Sequence, residues 1–188
     1  GFVRDLADFN PEQVMVDGEL VAAEGRLKVE LPPYPYPEWV RDSVILKKEL
    51  VAEDFLIPAP VESGPVKVRV IEIIEAKVGT RQLTARVEAC QGNLYADPAQ
   101  DLAKLASIER HGGPGTMGLG YVTGFGFTAG AVASTVGHDS HNLLVVGTNE
   151  ADMAVAANAL AQSGGGLVAV RDGAVLAAVS LPIAGLMS

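Results

Sequence analysis

The densest group of side chains able to bond, titrate or ligate is His138-Asp139-Ser140-His141-Asn142. It sits between an apolar run at 131–136 and an apolar segment at 143–146. Five consecutive polar side chains at a strand junction make a candidate site, because loops held by rigid elements carry much of binding and catalysis. Three chemistries suit these residue types. His138 and His141 are a possible metal pair, but a spacing of three aligns on a helix and points to opposite faces of a strand. Only His111 remains among the histidines, whereas structural zinc takes four ligands and catalytic zinc three plus water. Ser140 with Asp139 and either histidine supplies the types of a nucleophilic triad. Adjacent residues seldom converge on one reacting atom, and no G-x-S-x-G elbow is present. The third reading is structural: polar groups that hydrogen-bond a loop, a domain interface or the edge of a substrate pocket, as Asp and Asn do in turns. That reading is preferred, and within it a local role and an interface or pocket-edge role both stay open.

A second cluster, Glu109-Arg110-His111, precedes the break Gly112-Gly113-Pro114-Gly115. It reads either as a local ion pair at a strand end, which contributes little, or as polar groups presented to a site. Glu72 and Glu75 fit a solvated face. Cys90 has no Lys, Arg or His beside it in sequence and is expected to be a buried structural thiol. As the one cysteine it cannot form an intramolecular disulfide, which fits a reducing, cytoplasmic setting.

Elements must position these groups. The chain has 188 residues, which allows one or two domains and a core without staples. With 14 basic and 23 acidic residues the net charge is −9. That argues against nucleic acid or an anionic membrane as the main partner. Mean hydropathy is +0.25, yet no stretch approaches the 18 or so apolar residues of a spanning helix, and no signal segment opens the chain. The first residue is Gly1 rather than methionine, so a trimmed or processed product is expected.

Short strands at 13–15, 20–23 and 26–31, turning at Asp17-Gly18 and Glu24-Gly25, predict a meander. Four prolines in residues 31–37 and three more at 58, 60 and 65 predict a stiff connector over 31–65. Trp39 is expected to anchor it. Strands follow at 66–74, 82–89, 102–108 and 143–146. In residues 118–127 glycines fall mostly on even positions and Leu119, Tyr121, Phe125 and Phe127 on odd ones. Such a strand has one bare face, expected to pack tightly against a helix or second sheet, or else to admit a close backbone or ligand. Asn149 caps a helix near 150–163 with Met153, Ala157 and Leu160 on one face, and Gly164 to Gly166 stop it. A hairpin at 167–179 turns at Arg171-Asp172-Gly173. The fold class is α+β (mixed α/β), mostly β-sheet with one clear helix.

Several runs resemble the C-terminal region of bacterial adenine deaminases. They are Ile108-Glu109-Arg110-His111, Gly118 to Gly126, His138 to Asn142, Val146-Gly147-Thr148-Asn149-Glu150-Ala151-Asp152-Met153-Ala154, and the ending Leu181 to Ser188. Asp5-Leu6, Phe9 and Val14 to Gly18 look like the segment after that family's catalytic barrel. The resemblance implies an amidohydrolase parent that converts adenine and water to hypoxanthine and ammonia, part of purine catabolism. A divalent manganese or iron ion in the barrel would activate the water. It implies a remnant of a small β-sandwich at 1–30, the linker at 31–65 and the C-terminal domain at 66–188. No H-x-H pair is present, so catalytic residues and metal ligands are not carried over, and the fragment alone is expected to be inactive and to hold no cofactor. The expected partners are its own catalytic barrel and adenine, with a homo-oligomeric parent. The working expectation is an accessory domain that helps shape the pocket through residues 109–111 and 138–142. The alternative is a folding or oligomerisation module without substrate contact.

Overall fold

Two tight turns build the first sheet. Asp17-Gly18 and Glu24-Gly25 all take positive φ, the conformation that matches a hairpin's right-handed twist. They join β2 (Pro11–Val16), β3 (Glu19–Ala23) and β4 (Arg26–Leu27) antiparallel, with β1 (Phe2–Val3) on the other edge. The computed structural model describes residues 1–7 and 10–188, so Phe9 lies outside the described residues. The strand expected over 26–31 stops at Leu27, ahead of prolines that cannot donate to a ladder.

The chain divides into two units, Gly1–Pro35 and Tyr36–Ser188. The division thus falls inside the expected connector, and residues 36–65 belong to the second unit. Hydrophobic burial explains this: Val44, Leu50 and Phe55 are in the main core. The Asn158 amide also donates to the Leu50 carbonyl at 2.8 Å and accepts from its N–H at 3.0 Å. Trp39 is 76% exposed and anchors nothing by burial, contrary to expectation.

The second unit is a ten-stranded sheet with one α-helix among the described residues. Its strands are β5 (Ile57–Pro58), β6 (Ser63–Ile73), β7 (Thr80–Cys90), β8 (Asn93–Leu94), β9 (Ala103–Ile108), β10 (Met117–Thr123), β11 (Ala131–Ser134), β12 (Leu143–Gly147), β13 (Gly166–Arg171) and β14 (Ala174–Ser180). The spatial order is β14-β13-β11-β12-β9-β10-β6-β7-β8-β5. All pairs are antiparallel except β10 with β6. The expected α+β, mostly β architecture is the observed one. Pro65 is accommodated in β6 because β10 pairs only at Val70, Ile71 and Glu72. Cys90, expected buried, is exposed at the end of β7.

Helix α1 (Glu150–Ser163) begins where the Asn149 side chain accepts the Asp152 N–H at 2.8 Å, and ends at Gly164 with φ 76°. It covers one face of the sheet, packing Met153, Ala157 and Leu160 against Ala106, Leu143, Val145 and Val168. Lys104 on β9 points to the same face and is fully buried. Its ammonium donates to the Phe55 carbonyl at 3.0 Å and to Glu150 Oε1 at 2.5 Å. Burial pulls the Lys104 pKa down and Glu150 opposes that. The glycine run departs from expectation in part: β10 ends at Thr123, and a Cβ at Gly118 or Gly120 would meet nothing within 4 Å, so the bare face is open there, whereas a Cβ at Gly124 would sit 2.8 Å from the Ile73 carbonyl oxygen, a close backbone approach. Asp101 fixes the segment beyond, accepting from Gly124 N and Gly126 N, both at 2.7 Å. These bonds, first that from Gly124, hold its carboxyl below the usual range.

Removing one member of the buried ion pair leaves the other charge uncompensated. Glu150→Ala is expected to lower unfolding free energy by about 3 kcal/mol, while the double variant Lys104→Met/Glu150→Leu recovers most of it. Urea unfolding followed by circular dichroism reads both. Equal losses in the single and double variants would contradict a penalty from the stranded charge.

Candidate functional site

Three stretches distant in sequence meet at one end of the second sheet. β9 runs out into Glu109-Arg110-His111, residues 137–142 lead into β12, and the C-terminal residues 183–187 close a small turn. Ile45 lies alongside His111 in a parallel bridge, with its N–H donating to the Arg110 carbonyl at 2.8 Å. Arg110 is at the centre and is 1% exposed. Its guanidinium donates from Nε to the His141 carbonyl at 2.6 Å, from Nη1 to the Ser43 carbonyl at 2.8 Å, and from Nη2 to the Ala184 carbonyl at 3.1 Å. Burial pushes its pKa below the ordinary value, and a guanidinium stays charged regardless. Gly185, at φ 71°, is required here, since a Cβ would sit 2.9 Å from Arg110 Nη1.

The two polar clusters seen in the sequence therefore meet in space. His111 Nε2 lies 3.0 Å from the Ser140 carbonyl. The His138 and His141 rings stack at 5.4 Å between centroids, tilted by 54°. His138, Asp139 and Ser140 are exposed, whereas His141 is half-buried and its Nδ1 is a buried atom with no hydrogen-bond partner. The loop is closed by His141 N–H donating to the Gly137 carbonyl at 2.5 Å and by Asn142 N–H donating to Ser140 Oγ at 3.3 Å. Asn142 Nδ2 donates to Ser107 Oγ, also at 3.3 Å. Glu109 is a latch for the glycine break. It accepts the His111 N–H at 2.6 Å and the Gly115 N–H at 3.2 Å, and these bonds, first that from His111, hold its carboxyl below the usual range.

The arrangement presents three imidazoles (His111, His138, His141), a carboxylate and a hydroxyl around one loop. Ser140 Oγ is engaged with the Asn142 N–H, which does not make a triad. Among the described residues no three His, Cys, Asp or Glu side chains are grouped to hold a metal ion. His138 and His141 with Asp139 supply fewer grouped donors than the three protein ligands a catalytic divalent ion takes. What the rim can do is hydrogen-bond a polar ligand or a neighbouring polar surface.

Sequence reasoning missed two further polar anchors. Lys104 carries a signal, a lysine at an inward position of an apolar strand. Asp152 shows in sequence only as an acid in the first helical turn, where it suits the helix dipole. It is in fact buried, and its carboxylate accepts from the Asp172 N–H at 3.2 Å and the Gly173 N–H at 2.7 Å, tying α1 to the β13–β14 turn. Burial would raise its pKa, but bonds from Asn149, Gly173 and Asp172 outweigh that and lower it.

Residues 77–188 match the family described as adenine deaminase C-terminal domain. The chain is 60% identical over 187 residues to an adenine deaminase of Moorella thermoacetica, covering 100% of this chain and 31% of that protein. It is 46% identical to one of Clostridium botulinum (strain ATCC 19397 / Type A), with the same coverages. It is 43% identical to one of Mesorhizobium japonicum, covering 99% of this chain and 31% of that protein. The chain thus spans about a third of the length of these relatives.

Arg110→Ala strands three carbonyls and is expected to cost about 3 kcal/mol, Arg110→Lys about half that, and the exposed His138→Ala under about 0.5 kcal/mol. Denaturant midpoints measure the series, and a tolerated Arg110→Ala would refute the hub. Glu109 adds a pH signature. Its folded pKa is depressed, so the stability it contributes is complete above the ordinary glutamate value of about 4.3 and is lost as pH falls through the folded value. The stability difference between wild type and Glu109→Gln should shrink on going from pH 6 to below about pH 3. A constant difference would contradict the latch.

Proposed function

The chain belongs to the adenine deaminase C-terminal domain family, and from that premise we propose that it is an accessory domain of an adenine deaminase. The parent hydrolyses adenine to hypoxanthine and ammonia, in the cytoplasm, with a manganese or iron ion in a barrel that this chain does not supply. The domain packs on that catalytic part and offers its rim, His138 to Asn142 with His111, to the edge of the adenine pocket. The observation that carries this reading is the convergence of both polar clusters on one loop, fixed from beneath by Arg110. A purine has ring nitrogens and an amine at its edge, and positioned imidazole, amide and hydroxyl groups are suited to such hydrogen-bond recognition.

A second reading is an assembly module without substrate contact. It is favoured by β14, an edge strand exposed along its whole length with Leu176 66% and Val179 57% exposed, a kind of edge that tends to pair with another chain.

The test uses the full-length parent. His138→Ala and His141→Ala are expected to lower kcat/KM for adenine about tenfold, the size of one lost hydrogen bond of roughly 1.4 kcal/mol. His138→Ala should do so without changing the melting temperature. Unaltered kinetics in both variants would remove the pocket role and leave the assembly reading. The 188 residues alone should show no deamination under any metal supplement, and measurable turnover would refute an accessory domain.

A further inference from the structure

The sheet of the second unit has two faces of different character. One is covered by α1 and by the core around Phe55. The other is crossed by two kinds of outward side chain. On β7 the outward positions are Thr80, Gln82, Thr84 and Arg86, set opposite Ile73, Ile71, Arg69 and Lys67 of β6. This is mostly the polar pattern of a face that meets water. From Ile71 and Ile73 across to β14 the pattern changes. The outward residues become Val122, Leu105, Leu144, Val146, Val132 and Leu167, ending at Val179. They border a groove of about 540 Å³ lined almost wholly by apolar side chains. Ile71 is 43% exposed, Leu167 45% and Val179 57%. Gly118 and Gly120 lie on this same face, opposite Ser107 and Leu105, with nothing near their absent side chains. A strand apolar on both faces belongs to a sheet covered on both faces.

We propose that this apolar face is where the domain docks on the preceding, catalytic part of its own parent polypeptide, with the bare glycine strip admitting the partner's closest approach. The inference rests on the accessory-domain reading and names the surface it uses. Two observations select the occupant. Relatives carry this chain as 31% of their length, so 69% of such a protein (100 minus 31) lies outside it. A covalently tethered partner competes at an effective concentration of order millimolar. A second copy would instead bring another net charge of −9 toward the first, which disfavours close approach. The apolar face also runs toward the candidate site. Ser107, which Asn142 holds at 3.3 Å, stands opposite Leu144 and Gly118 on this face. Leu144 lines the groove two residues from Asn142.

The experiment is peptide-resolved maleimide labelling of the full-length parent carrying Leu167→Cys or Val179→Cys. The control is Val78→Cys at a hairpin tip that is fully exposed. Cysteines at 167 and 179 are expected to react at least 50-fold more slowly than at 78, with protection unchanged on dilution to a sedimentation-verified monomer. Reaction at the control rate would show a bare face and overturn the proposal. Protection that disappears on dilution would assign the face to a second copy and overturn it too. Neither readout depends on adenine turnover, so failure of the pocket reading and failure of the docking surface are separable. If one variant does not fold, the other carries the test.

Discussion

A buried guanidinium satisfied by backbone carbonyls, with no ion-pair partner among the described residues, is the constraint on which the histidine end of this domain depends. A charge taken out of water is tolerated only when its hydrogen bonds are complete. Arg110 meets that condition with carbonyls from positions 43, 141 and 184. Each comes from a segment with no regular secondary structure, so none of the three can move without stranding a donor. The fork geometry of arginine fixes three directions at once, which lysine cannot do. The consequence is that the loop of exposed polar residues is tied at His141 to the 43 and 184 segments through one side chain.

The same logic recurs at smaller scale. Asp152 accepts from the tip of the last hairpin, Asp101 from the segment after the glycine strand, and Glu109 from the glycine break. Three carboxylates thus organise three turns by accepting backbone N–H groups; these bonds lead in depressing the pKa of Asp101 and Glu109, while at Asp152 the Asn149 side chain leads among the groups that outweigh burial.

Much of this was legible in the residues and some was not. Alternation of apolar and polar positions announced β6, and Asn149 with Gly164 bracketed the helix, because cap chemistry is local. The two polar clusters were visible as candidates, but their union was not, since a contact across 31 residues leaves no periodic trace. The proline count suggested a connector over 31–65, yet Leu50 and Phe55 bury in the core. Prolines restrict backbone shape without preventing the side chains between them from packing. Bare glycine positions suggested tight packing, and Gly118 and Gly120 instead face open space. Pattern shows that a face is flat and not what, if anything, covers it.

Membership in the adenine deaminase C-terminal domain family gives this geometry its meaning. A rim of histidines fixed by Arg110, beside an apolar face, has the form of a part that completes another body. The most direct measurement is a crystal structure of the full-length parent with hypoxanthine bound. His138 to Asn142 are expected at the mouth of the purine pocket, with at least one of these side chains within hydrogen-bond reach of the purine or of a water that bridges to it. A loop facing solvent on the side of the molecule away from the purine would contradict that placement.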